Sequence, residues 1–320
     1  MTALHLQGVY PPVPTFFAAD EELDLTTLES HLQWLAASGI AGYVVLGSNG
    51  EAPHLTSEER ELVIRTAREV INQRAHSREE EGAARARLLL LAGCGEQSTR
   101  ATIAACERAA EAGADAVLVL PPFYFRGRMN GAALLAHYHA VAEHSPLPIV
   151  IYNMPANTAG LDLDAPLICR LAEEHPNIIG LKDSAGNVAK LAQIVGQLAN
   201  SRPDFAVLAG SAGFLLPALA VGARGGIPAL ANVLPRQVCR VQELFEAGQL
   251  EEARRLQASL VPLNTLLTAT YSVAGLKAAL QLLRGYGGRP RAPVLPLDEQ
   301  ELINLKATLA PFISDSGETG

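Results

Sequence analysis

Of the 25 basic residues in this 320-residue chain only four are lysine, Lys182, Lys190, Lys277 and Lys306, and the rest are arginine. Lys182 directly follows the apolar run Asn177-Ile178-Ile179-Gly180-Leu181 and leads into Asp183-Ser184-Ala185-Gly186-Asn187, the pattern of a strand ending in a polar turn. In a pocket of low dielectric an ammonium is disfavoured against the neutral amine, and the neutral amine attacks carbonyl carbons. Arginine has no accessible neutral form, so a lysine kept here by an arginine-using chain points to amine chemistry. A lysine merely snorkelling at a strand end is the simpler alternative. Lys190, Lys277 and Lys306 lie in helix-periodic segments such as VAGLKAALQLL, where an exposed or snorkelling ammonium is expected.

Other strand ends carry polar groups that could serve such an amine. Gly47-Ser48-Asn49-Gly50-Glu51 is a two-glycine turn whose backbone N–H groups can face an anion while Ser48 and Asn49 supply side-chain donors. A plain turn of common turn residues explains it equally well. Pro121-Pro122-Phe123-Tyr124-Phe125 and Tyr152-Asn153-Met154-Pro155 each place a tyrosine at a strand end, where it can shuttle protons or simply pack as a rim aromatic. Arg126 and Arg128 follow Tyr124 and could attract a carboxylate, or lie on the surface.

Competing chemistries lack their signatures. The chain has no H-E-x-x-H, no G-x-x-x-x-G-K-[ST] and no G-x-S-x-G, and Gly93-Cys94-Gly95 lacks the last glycine of a dinucleotide fingerprint, Ser98 standing in its place. His137 and His139 are two apart on a predicted helix and so diverge, and no metal site is expected. Cys94, Cys106, Cys169 and Cys239 form no C-x-x-C pair and read as structural thiols rather than a zinc site or a disulfide framework.

The elements that must position these groups alternate along the chain. Strands are expected at Val9 to Val13, Gly42 to Leu46, Leu88 to Ala92, Ala116 to Leu120, Ile149 to Tyr152, Ile178 to Leu181, Ala206 to Ala209 and Gly226 to Ala229. Helical periodicity fills the gaps at Leu25 to Ser38, Ser57 to Asn72, Thr99 to Ala112, Ala132 to Glu143, Ala165 to Glu174 and Val188 to Leu198, several opened by a capping residue. Eight such units most economically close into an α/β fold of the (β/α)8 TIM-barrel type, an open doubly wound sheet being second. Helix-like segments continue through Gln237 to Ala247, Glu251 to Leu267, Val273 to Leu283 and Asp298 to Leu309, so a catalytic barrel over 1–234 and a C-terminal helical region over 235–320 are expected. The charged stretch Gln73 to Arg87 reads as a solvated helix extension and loop with no assigned function.

Composition narrows the partners. A hydrophobic fraction of 49% with 18% charged residues supports a large core, and a net charge of -8 without basic blocks argues against nucleic acid. No apolar run reaches the ~18 residues of a membrane span, and the few residues before the first strand are too short for a targeting segment, so a cytoplasmic protein is expected.

Taken together, GSNGE, PPFYFRGR, YNMPANT, IIGLKDSAGN, AGSAGF and ALANVLP, in order between Gly8 and Pro296, resemble the dihydrodipicolinate synthase and N-acetylneuraminate lyase superfamily of class I aldolases. GSNGE, YFRGRM, PANT and the tail around Gly285-Tyr286-Gly287-Gly288 are most similar to its 4-hydroxy-2-oxoglutarate aldolase branch. The resemblance implies a Schiff base on Lys182, Tyr152 as general acid and base, and a proton relay of Tyr152, Ser48 and Tyr124, with Tyr124 reaching a neighbouring subunit's site. It also implies that Asn49 and Gly50 hold the C1 carboxylate of a small 2-oxo acid, and that Ser184, Gly210, Ser211, Asn157 and Ile227 line the pocket. No cofactor is implied, and a homotetramer built as a dimer of dimers is. Synthases of this superfamily usually carry an arginine where this chain has Asn157, which argues against the lysine-pathway condensation. The implied reaction is cleavage of a 4-hydroxy-2-oxo acid, 4-hydroxy-2-oxoglutarate foremost, to pyruvate and an aldehyde such as glyoxylate. A 2-keto-3-deoxy sugar acid aldolase and a dihydrodipicolinate synthase-type condensation are the enzymatic alternatives. A silent 2-oxo acid sensor is the non-enzymatic one, and keeping Lys182, Tyr152, Ser48 and Tyr124 together counts against it.

Overall fold

The computed structural model describes residues 4–80 and 87–314. Its strands are β1 (Gly8–Val9), β2 (Gly42–Val45), β3 (Leu89–Gly93), β4 (Ala116–Val119), β5 (Ile149–Asn153), β6 (Ile178–Asp183), β7 (Ala206–Ala209) and β8 (Gly225–Gly226). All pair in parallel in the order β1-β8-β7-β6-β5-β4-β3-β2. Just past β1 the chain closes the ring onto β2: Val13 N donates to Val44 O at 2.8 Å and Val44 N to Pro11 O at 3.0 Å. The expected (β/α)8 barrel is therefore what forms, and the open sheet is excluded.

Strands enclosed on both faces explain the unbroken apolar runs. In β4, Val117 and Val119 join the core under the helices, whereas Ala116 and Leu118 join Tyr10, Leu91, Val150, Tyr152, Leu208 and Ile227 inside the barrel. The ladders of β1 and β8 are shorter than expected, and proline is the reason. Pro11, Pro12, Pro14 and Pro228 have no N–H to donate, so regular pairing stops at Val9 and Gly226.

The helices that return the chain are α1 (Leu25–Ala36), α2 (Ser57–Glu80), α3 (Thr99–Glu111), α4 (Gly131–His144), α5 (Ala165–Glu174), α6 (Val188–Leu198), α7 (Leu215–Ala220) and α8 (Pro235–Glu246). Side-chain caps start many of them: Asp24, Ser98, Asn130, Asp164 and Asn187 each accept from the backbone N–H three residues on. Thr56 and Glu59 form a reciprocal capping box at α2, which runs on through Gln73 to Glu80; residues 81–86 of the charged stretch lie outside the described residues. Beyond α8 come α9 (Leu250–Thr265), which widens into a π-turn at Leu266–Thr270, then α10 (Ser272–Arg284) and α11 (Glu299–Ser314). Gly285 ends α10 in the left-handed conformation, φ 77°.

Candidate active site

The register of β5 and β6 places Tyr152 opposite Lys182, with apolar Leu208 of β7 on the other side. Lys182 is 3% exposed, and its Nζ stands 3.9 Å from the centre of the Tyr152 ring. Among the described residues no carboxylate forms an ion pair with it. Burial alone would raise the Tyr152 phenol, but the Lys182 charge and hydrogen bonds with Ser48, Lys182 and Ser184 outweigh it and hold the group below its usual range. The Ser48 hydroxyl lies 3.4 Å from Tyr152 Oη. An amine and an acidified phenol in contact can make and break a C–N bond to a carbonyl carbon while the phenol carries the protons.

Ser48 is delivered by a turn of unusual backbone. Leu46 and Glu51 flank it at φ 58° and 52°, left-handed conformations that non-glycine residues hold at a cost of about 1–2 kcal/mol. A Cβ on Gly50 would sit 2.9 Å from Leu46 N, so only glycine fits the crossing. The Gly50 N–H is used inside the turn on Gly47 O at 3.0 Å, and its carbonyl accepts from Thr15 Oγ1 at 2.7 Å. Asn49 beside it is half-buried. What stabilises the strained end is Glu51, whose carboxylate accepts from Lys277 Nζ at 2.5 Å and Arg291 N at 2.9 Å and meets His54 Nδ1 at 3.0 Å.

Across the mouth, Gly210 lets β7 end against the lysine turn, since a Cβ there would fall 2.0 Å from Ser184 Oγ. Ser211 follows, its hydroxyl donating to Asn264 Oδ1 of α9 at 3.2 Å and accepting from Asn264 Nδ2 at 3.0 Å. Ile227 is wholly buried in the barrel interior with Tyr152. Two of the sequence-derived site residues are not brought in by this chain. Asn157 is exposed on the short turn Pro155–Asn157, and Tyr124 is 77% exposed, packed edge-on against Phe125 with its backbone N–H on Gln97 Oε1. Arg126 reaches from the Tyr124 loop to Gly160 O at 3.5 Å, whereas among the described residues no hydrogen bond links Arg128 to the site.

The expectation that Lys190 and Lys277 are exposed or snorkelling is overturned. They are 8% and 0% exposed because carboxylates meet them inside the protein: Asp162 and Asp183 for Lys190, Glu51 for Lys277. Only Lys306 is exposed as expected. Sequence reasoning also passed over Asn153, Asp183, Glu51, Asn264 and Arg291. The scarcity of lysine was the available signal, since it applied to Lys190 and Lys277 as much as to Lys182.

Cavity volume does not locate the chemistry. A cavity of about 390 Å³ lined by Gly8, Ile40, Ala41, Leu88, Cys239 and Glu246 opens at the opposite end of the barrel, where the strands begin. His139, Glu174 and His175 bring ligand-type atoms within 4.8 Å of one another on the outer surface of α4 and α5. Their contacts are those of a surface ion-pair cluster: Glu174 Oε1 accepts from Arg170 Nε at 2.7 Å, and Oε2 lies 2.7 Å from His139 Nε2 without hydrogen-bond alignment. His137 points elsewhere, to Thr99 Oγ1 at 2.9 Å.

The model of the dihydrodipicolinate synthetase family matches residues 5–311. The chain belongs to that family. It is 44% identical over 306 residues to the probable mitochondrial 4-hydroxy-2-oxoglutarate aldolase of Emericella nidulans, covering 96% of this chain and 94% of the relative. It is 38% identical to the L-threo-3-deoxy-hexylosonate aldolase of Hypocrea jecorina, covering 91% of each. Among solved structures, YagE of Escherichia coli K12 in complex with pyruvate superposes at a TM-score of 0.85, with 30% identity over 95% of this chain and 98% of that one. The 4-hydroxy-tetrahydrodipicolinate synthase of Methylacidiphilum fumariolicum SolV gives 0.87, with 31% identity over 98% of each. With named aldolases as relatives over nearly its whole length, the chain is a class I aldolase of the family, a carbon–carbon lyase. No helix among the described residues is long and apolar enough to cross a membrane.

Proposed function

We propose that the protein cleaves a 4-hydroxy-2-oxo acid, with 4-hydroxy-2-oxoglutarate as the preferred substrate, to pyruvate and glyoxylate. The observation that carries the reading is the buried Lys182 amine over the Tyr152 ring, with the Tyr152 hydroxyl facing Ser48. Neutral Lys182 attacks the C2 ketone, and Tyr152 supplies the proton with which the carbinolamine loses water to become an iminium. Tyr152 then takes the proton of the C4 hydroxyl, the C3–C4 bond breaks, and its electron pair enters the iminium to give an enamine as the aldehyde leaves. Tyr152 returns the proton to C3, and one water hydrolyses the imine to pyruvate and the free amine. The step needs no external oxidant or reductant.

Ser48 keeps the Tyr152 hydroxyl oriented, and the Ser48–Asn49 turn faces the C1 carboxylate, with Ser184, Gly210, Ser211 and Ile227 around the chain of the substrate. The 44% identity to the Emericella aldolase favours glyoxylate as product. The similarity to L-threo-3-deoxy-hexylosonate aldolases, at 38% and 35%, supports a 2-keto-3-deoxy sugar acid as the second reading. Pyruvate release from each acid, coupled to lactate dehydrogenase, decides: a higher kcat/KM for 4-hydroxy-2-oxoglutarate is expected, and a preference for the deoxy sugar acid would reverse the assignment. Condensation of pyruvate with aspartate semialdehyde would overturn the reading of Asn157.

Tyr124 completes the relay from a second copy in a homotetramer, a role supported by its exposure beside Phe125 on the rim. Four buried, unpaired cysteines support a reducing compartment such as the cytoplasm, and a fluorescent fusion separates that from the mitochondrial placement named for the Emericella relative.

A further inference from the structure

Asn153 and Asp183 are the residues after Tyr152 and Lys182, paired with each other across β5 and β6, and both are fully buried. Strand alternation turns them away from the barrel interior, toward the helices. There Asn153 Nδ2 donates to Asp183 Oδ2 at 2.8 Å and to Asp162 Oδ1 at 2.6 Å, while Asn153 Oδ1 accepts from Leu163 N at 2.9 Å. Lys190 of α6 enters the same cluster, its Nζ 2.8 Å from Asp183 Oδ2 and 2.6 Å from Asp162 Oδ1, with Leu163 O at 3.3 Å. The other Asp183 oxygen accepts from Ala185 N at 2.9 Å, in the turn that carries Ser184. The backbones beside the amine and the phenol are thereby fastened to each other and to the starts of α5 and α6.

We propose that Lys190 is a positioning residue for the aldolase chemistry, acting through Asp183 and Asn153 to lock the ends of β5 and β6 and to balance the negative charge directly behind Lys182. The inference rests on the reading of Lys182 as the nucleophile. On the helix-facing side of β6, opposite that amine, two carboxylates share one buried ammonium, which offsets one of their two charges. Without Lys190 their field favours the protonated form of Lys182 and withholds the nucleophile; without one aspartate the opposite holds. The titratable and charged groups around Lys182 are Tyr152 from β5, Asp183 on its own strand, Lys190 from α6 and Asp162 from the segment before α5, with Tyr10 deeper in the barrel interior; β7 contributes the apolar Leu208.

Competitive labelling of the full chain with acetic anhydride, read on the Lys182 peptide by mass spectrometry as a function of pH, tests this without any substrate. In Lys190→Met the labelling midpoint is expected to rise, and in Asp162→Asn, on a side chain 47% exposed, to fall, each on the order of one pH unit, tenfold in amine fraction. The pH profile of pyruvate trapping by borohydride is expected to shift with it. Midpoints that stay put, or that move in the same direction in both variants as general loosening would produce, would overturn the proposal. Should Lys190→Met fail to fold, Asp162→Asn decides alone: a lower midpoint supports the charge balance and an unmoved one refutes it. Failure of the aldolase reading looks different, because the unaltered protein would then form no pyruvate adduct even where the labelling midpoints shift in opposite directions.

Discussion

Lys182 and Lys277 are equally hidden from water but live under opposite electrostatic arrangements. Lys277 points from α10 across to the Ser48 turn, where Glu51 Oε1 lies 2.5 Å away, Arg289 O accepts at 3.0 Å, and the Phe17 ring centre is 4.4 Å from the ammonium. Burial lowers its pKa, and the Glu51 carboxylate restores part of what burial takes. Lys182 has the ring and hydroxyl of Tyr152 in place of a carboxylate. On the proposed mechanism, the buried ammonium with a carboxylate, Lys277, is a strut, and the one without, Lys182, is the reagent. The strut holds a reagent's partner, because Glu51 ends the strained turn that carries Ser48.

Removing each amine should therefore break different things. Lys182→Met is expected to reduce turnover to the uncatalysed background while leaving urea stability unchanged or raised, since no buried counter-charge is orphaned. Tyr152→Phe keeps the ring under the amine and deletes the proton carrier; kcat should drop about 10²–10⁴-fold, and near-normal turnover in steady-state assays would remove Tyr152 from the mechanism. Lys277→Met takes the ammonium from the buried Glu51 carboxylate and leaves only Arg291 N and His54 Nδ1 to meet it, so a loss of about 3 kcal/mol in urea unfolding is expected. Should Lys277→Met cost no more stability than Lys182→Met, the distinction between strut and reagent fails.

His31 extends the comparison to a buried base with only neutral partners, Tyr286 Oη at 3.0 Å and Asn232 Oδ1 at 3.2 Å. Burial lowers its pKa to about 4, with Arg284 adding to the fall and the Asn232 hydrogen bond opposing it. The unfolded chain binds this proton first, from its ordinary value near 6.5 downward, so stability is lost as pH drops from about 6.5 to about 4. The loss from this one group is roughly 3 kcal/mol. Unfolding midpoints across that range should fall less steeply in His31→Gln, and identical slopes would show that His31 does not carry the effect.

The barrel was legible because strands enclosed on both faces must be apolar throughout, which left runs such as Ala116 to Leu120 and Ile149 to Tyr152 standing out between amphipathic helices. Lys182 and Tyr152 were legible for a related reason, as polar groups at the ends of those runs. The struts were not, since periodicity reports which face a residue occupies and says nothing of a partner 226 positions away, the separation of Lys277 from Glu51. Lys190 misled in the same way: α6 places it on a buried face, and only the fold brings Asp162 and Asp183 to it. Tyr124 marks a different limit: its side chain is 77% exposed, and the proposed relay needs a second copy of the chain to give it a role.

The most direct test of the account is reduction by borohydride with and without pyruvate, followed by peptide mass spectrometry of all four lysines. A pyruvate-derived adduct is expected on Lys182 alone, with Lys190 and Lys277 held by their carboxylates and Lys306 exposed on the surface. No adduct, or equal labelling of Lys182 and another lysine, would contradict it.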